Sequence, residues 1–138
     1  VTAILVILLA ALGAVHAAWG AGGRWPARNE AELVGLVIGR TRNGKMAPAA
    51  ACFAVAGCLF AAAGLAATVS PVSPAWQRAA YFGAAGVFLL RGLAGFIGPL
   101  WRNAAGTPFF RLNRRFYSPL CLILAALFIA KGVLENVR

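Results

Sequence analysis

Residues 81–101 read YFGAAGVFLLRGLAGFIGPLW. As a helix, a run of that length is about 32 Å long, enough to cross the roughly 30 Å of hydrocarbon in a bilayer. One residue spoils the fit. Arg91 lies between Phe88-Leu89-Leu90 and Gly92-Leu93-Ala94-Gly95, and a guanidinium does not lose its charge in a protein. A membrane span that keeps such a cation needs something to compensate it.

The rest of the chain favours a membrane. It has 138 residues, 62% of them hydrophobic, with a mean hydropathy of +0.80. Besides 81–101, apolar runs of similar length occupy the beginning, the middle and the end. The expected helices cover about 2–20, 48–69, 76–98 and 117–134. Together they predict an all-α fold, a four-transmembrane-helix antiparallel bundle forming a single membrane domain over 1–138. Pro48, Ser73-Pro74 and Ser118-Pro119 are helix-start signals for the last three. The short connection around Pro71 predicts that the second and third spans are antiparallel neighbours. The first run, VTAILVILLAALGAVHAAWG, has a signal-like Val15-His16-Ala17 site. Its length, and Arg24 and Arg28 just after it, predict a retained span instead.

Charge sets the expected orientation. The chain holds 13 Lys+Arg and only 3 acidic residues, all Glu, giving a net charge of +10. Arg24, Arg28, Arg40, Arg42 and Lys45 fall in the connection 21–47. Arg102, Arg111, Arg114 and Arg115 fall in 99–116. Only Arg78, Lys131 and Arg138 belong to the opposite side. Positive loops stay inside, so both basic connections are expected in the cytoplasm and both termini outside, as in a bacterial inner membrane. A pI near 11.4 points in principle to nucleic acid. Here the basic residues alternate with apolar runs instead of covering a soluble face, so the expected partner is anionic lipid and not nucleic acid.

Within the first connection, Asn29 followed by Glu32 is an N-cap with Glu at N3. Leu33, Leu36 and Val37 follow at helical spacing, and Gly39 is a stop signal. A short helix over about 30–38, lying at the inner surface, is expected. A hairpin through LVGLVIGRTRNGKM is the alternative. Small residues at Ala50, Ala54, Cys58, Ala62 and Ala66, and at Ala10, Ala14 and Ala18 with Gly13, Ala17 and Ala21 beside them, predict the seams along which helices approach.

Several chemistries lack their residues. Cys52, Cys58 and Cys121 contain no C-x-x-C pair, and no metal site is expected. One His excludes a bis-His haem, and the lack of Asp leaves no carboxylate relay. Ser118 has no triad partners, and no catalytic residue is assigned. Lys131 and Glu135 read as a surface pair at i,i+4.

The polar residues that remain gather at the expected inner end. His16 and Trp19 end the first span, Arg91 lies about 10 Å from the inner end of the third, and Tyr117 and Ser118 begin the fourth. These five form the candidate ligand site. Arg91 either snorkels to the headgroups or turns inward towards Tyr117, Ser118, His16, carbonyls or an external anion. A lipid or quinone head is a suitable guest, and no resident cofactor is required.

HAAWGAGGRWP (16–26), FFRLNRRFYSPLCL (109–122) and Arg91 together resemble a family of small bacterial four-helix membrane proteins known only as domain of unknown function 3995. The resemblance implies the fold and the grouping of His16, Arg91 and Tyr117. It implies no activity. The family's arginine run usually includes an acidic residue; Asn113 stands near that place here. The expected function is that of a non-catalytic membrane protein, binding a lipid or other ligand or serving as an accessory subunit of a larger complex or homo-oligomer. An enzyme acting on a lipid or isoprenoid-like substrate and a small anion transporter are the alternatives.

Overall fold

The computed structural model describes residues 1–136, with side chains to Leu134. Every regular element among them is helical. Helix α1 is Thr2–Gly20, α2 Glu30–Val37, α3 Ala49–Thr68 and α4 Ala75–Ala94. A 3-10 helix, Gly98–Ala104, leads to α5 (Pro108–Leu112), a π-helical turn at Asn113–Tyr117, and α6 (Ser118–Asn136). Three stretches are long and apolar enough to cross a membrane: α1, α3 and the continuous run Pro108–Leu134. Helix α4 qualifies only together with the 3-10 helix after it, to which it is bent by 75°.

That bend corrects the expected third span of 76–98. The run stops at Gly95 because Pro99 cannot continue an α-helix. Phe96 N–H and Ile97 N–H close tighter turns onto Leu93 O and Ala94 O, at 3.1 Å each. The fourth span changes in the other direction. Ser118 is not a cap, since its φ/ψ of −69°/−46° is helical, and the helical run begins ten residues earlier at Pro108. Pro48 and Pro74 do precede helices, but as N-cap residues with extended ψ of 145° and 149°. Asn29 behaves as its position predicts: its Oδ1 accepts Glu32 N–H at 2.9 Å.

The long helices pack as two pairs. Helix α1 lies along α3 and α4 along α6, while contacts between the pairs are sparser. The consecutive helices α3 and α4 touch little, so the short turn between them does not make them close neighbours. A shared core of Leu5, Leu9, Ala62, Ala66, Tyr81, Leu124 and Phe128 joins the pairs at the end near that turn. Tyr81 donates to the backbone carbonyl of Phe128 at 2.6 Å, and their rings meet edge to face at 4.9 Å.

The every-fourth-residue seam of α3 is also corrected. Ala50, Ala54 and Cys58 are exposed; the buried face is Cys52, Ala56, Leu59, Ala62, Ala63 and Ala66. At about 100° per residue, a four-residue step advances by 40°, so such a row winds off any one face within a few turns. On α1 the buried row is Leu5, Leu9 and Gly13. The approach there sets aromatic rings on glycine. A Cβ at Gly13 would lie 3.0 Å from the Phe60 ring, and one at Gly20 3.0 Å from Phe53.

Both basic connections pack against each other at the opposite end. Gly39, at φ +100°, closes α2 with a 2.7 Å bond from its N–H to Val34 O. A side chain there would press on Ala104, 2.6 Å away. Tyr117 donates to Leu36 O at 3.0 Å, tying α2 to the start of α6. This is the basic end of the molecule.

Candidate functional site

The environment of Arg91 resolves the question posed by its sequence. Its side chain turns inward, and Nη2 donates to Asn113 Oδ1 at 2.8 Å. The guanidinium also lies 4.8 Å from the Trp101 ring centre, a separation at which a cation is attracted to an indole face. Trp101 is itself fixed, since its Nε1–H donates to Ala94 O at 2.8 Å. Arg91 sits in the last turn of α4, where the helix dipole favours a cation. Its charge is thus met by an amide oxygen, a ring face and a helix terminus, with no carboxylate. Nη1 is buried and has no hydrogen-bond partner among the described residues.

The π-turn makes this possible. In a regular α-helix, residues five apart lie about 140° round the axis from one another. An i→i+5 turn cuts that angle and brings the two side chains to one side of the helix. Ser118 N–H closes such a turn onto Asn113 O, and Ser118 Oγ reaches Asn113 Oδ1 at 3.3 Å. The amide's other end, Nδ2, donates to Gly95 O at 3.4 Å. Asn113 therefore joins α4, the break after it and the start of α6, and it is 1% exposed. Gly95 is required here: a Cβ at that position would fall on Ser118 Oγ.

Of the five candidate residues, Ser118 joins Arg91 through the shared amide oxygen, and Tyr117 lies beside it but bonds to Leu36. His16 and Trp19 form a separate group. His16 Nδ1 is 2.8 Å from Leu12 O, and its ring meets Trp19 edge to face at 4.9 Å. No hydrogen bond or ring contact links these two to Arg91, Tyr117 or Ser118. Their helix, α1, belongs to the other pair. Trp19 Nε1–H donates to Trp25 O at 2.7 Å, and Trp19 lines a cleft of about 290 Å³ at the basic end.

Nothing in the sequence marks Asn113 or Trp101 as partners of Arg91. The nearest signal is a lone amide inside an arginine run, but its side of the helix depends on the π-turn. Lys131 is a further correction. It is not a surface residue but 3% exposed, donating to Val69 O at 3.0 Å. That carbonyl belongs to the C-cap of α3, where a cationic donor meets an otherwise orphaned acceptor. The Glu135 side chain, its expected partner, and Arg138 lie outside the described residues. Among those described, no group of three or more His, Cys, Asp or Glu is placed to hold a metal ion. Cys52 is buried, Cys121 half-buried and Cys58 exposed, all as free thiols.

Residues 9–128 fit the model of a family described as protein of unknown function, DUF3995. No curated protein and no solved structure matches the chain.

Proposed function

Because the chain belongs to the DUF3995 family, which carries no assigned activity, we propose a function from its own geometry: a non-catalytic, four-span membrane protein that binds anionic lipid at its basic end. In this reading α4 and the bent helix after it make one span. Helix α2 lies at the surface, and the basic end faces the cytoplasm with both termini outside.

The observation that carries the reading is the state of the charges. Arg24, Arg28, Arg40, Arg42, Lys45, Arg102, Arg111, Arg114 and Arg115 all sit on the connections of one end, every one of them exposed. Two of the three acidic residues are there too, and both are engaged by backbone. Glu30 Oε1 accepts Met46 N–H at 3.0 Å, and Glu32 Oε2 accepts Arg28 N–H at 2.8 Å. Nine cations thus face outward without a carboxylate partner among the described residues. A leaflet of anionic headgroups attracts such an end by about 1 kcal/mol per basic residue close to it.

An accessory-subunit role is the second reading. It is favoured by the large apolar side chains exposed along α4 and its continuation, among them Val87, Leu90, Leu93 and Phe96. The enzyme alternative, with His16 as acid/base and Arg91 as anion clamp, finds those residues without mutual contact. The deciding experiment is mass spectrometry of what accompanies the protein from native membrane. Enrichment of anionic lipid over the bulk composition, declining as salt rises, is expected. A stoichiometric protein partner with bulk-like lipid would replace this reading by the subunit one.

A further inference from the structure

We infer that the cleft beside Trp19 holds the headgroup of one anionic glycerophospholipid, bound through its phosphodiester. This rests on the lipid-binding reading above and gives it a defined site.

The cleft lies where spans end, which is headgroup depth in that reading. Its walls come from the last turn of α1, the glycine turn after it, the start of α2 and the segment entering α3. At about 290 Å³ it is near the lower end of ligand pockets, which run from about 300 to 1,000 Å³. It therefore suits a headgroup and not a whole amphiphile. Leu33 and Met46 give it apolar surface. The bond from Trp19 to Trp25 O holds the turn around it, and indoles favour the level at which headgroups meet hydrocarbon.

Charge selects the ligand class. Arg24 and Lys45 line the cleft, and neither side chain has a hydrogen-bond or ion-pair partner among the described residues. Glu30 is the one carboxylate in the lining, with Oε1 already accepting Met46 N–H at 3.0 Å. The walls carry two positive charges and one negative, a net +1. A phosphodiester headgroup without a cationic substituent carries −1 and neutralises them. A zwitterionic headgroup leaves the +1 unmet, and a phosphate monoester, at about −1.5 to −2, overshoots it. Arg24 offers a planar fork for two phosphate oxygens and Lys45 a point charge.

The test is native mass spectrometry of the full chain in neutral detergent, titrated with dioctanoyl phosphatidylglycerol, dioctanoyl phosphatidylcholine or inorganic phosphate. One saturable phosphatidylglycerol adduct is expected. Losing two charge-assisted contacts in Arg24→Gln/Lys45→Gln should weaken it about tenfold or more. The matched pair Arg114→Gln/Arg115→Gln removes the same charge from the basic end but outside the cleft, and should weaken it clearly less than the cleft pair does. All four side chains are exposed, so thermal unfolding should be alike in both variants. Equal weakening in the two pairs overturns the cleft while leaving a general attraction of the basic end for anionic lipid. No preference of the unmodified protein for phosphatidylglycerol over phosphatidylcholine overturns both. Displacement of the adduct by inorganic phosphate at equal concentration overturns the lipid source in favour of a free anion.

Discussion

Among the described residues, replacing Asn113 by Leu should cost more than any other single amide-to-apolar change. The substitution removes the acceptor of Arg91 Nη2 at 2.8 Å, the donor to Gly95 O at 3.4 Å and the contact with Ser118 Oγ at 3.3 Å. Interhelical hydrogen bonds within membranes average only about 0.6 kcal/mol, with a maximum near 1.7. The Gly95 and Ser118 contacts are long and belong at the low end. The Arg91 bond is charged, and hydrogen bonds to charged groups are worth about 1.5–3 kcal/mol. Its loss also strands a guanidinium whose Nη1 already lacks a partner. A destabilisation of about 2–3 kcal/mol follows. The measurement is a double-mutant cycle of Asn113→Leu and Arg91→Met, read by reversible unfolding in mixed micelles of dodecyl sulfate and a mild detergent. A coupling of at least about 1.5 kcal/mol is expected, with the double variant more stable than Asn113→Leu alone because no half-buried guanidinium is left without its amide partner. Additivity within about 0.5 kcal/mol would mean that the two side chains do not meet, and the account of how α4 keeps its cation would be wrong.

Gly95→Ala and Gly92→Ala should both lower thermal stability in detergent. A Cβ at 92 would lie 2.6 Å from Leu122 Cδ2, and one at 95 would collide with Ser118. Gly83→Ala and Gly86→Ala meet nothing within 4 Å and should be neutral or stabilising by up to about 1 kcal/mol; equal losses at all four positions would contradict the observed packing. On α3, Ala66→Leu should be costly because Ala66 is 0% exposed, by about 1–3 kcal/mol of overpacking. Ala54→Leu, on the exposed face, should leave the melting temperature unchanged, and a large loss there would restore the every-fourth-residue seam. In a cysteine-free background, a cysteine at position 72 should react with an impermeant maleimide added outside cells and one at 43 should not. Both positions are exposed, so the reverse pattern would invert the orientation.

Features that depend on short range were legible in the chain alone. Apolar run length marked helices, since backbone groups in hydrocarbon must pair within the segment. Asn29 and Glu32 marked the start of α2, because a cap involves only adjacent residues. The chain order of Arg and Lys placed nine of the thirteen on two connections. The tertiary structure decided whatever depends on how a helix is rotated. The direction a side chain faces is set by neighbouring helices and by breaks in the helical phase. The every-fourth-residue row on α3 failed because it winds around the axis, and the pairing of α1 with α3 and α4 with α6 is written in no single run. Asn113 reaches Arg91 because the π-turn brings Asn113 and Ser118 into one file and α4 breaks at Gly95. The π-turn shows in neither composition nor period, and the break, though Pro99 marks it, lies in a run that hydropathy alone reads as continuous. Lys131 was misread for the same reason: helical spacing gives a residue its neighbours along its own helix, but not the α3 carbonyl that folding brings to it.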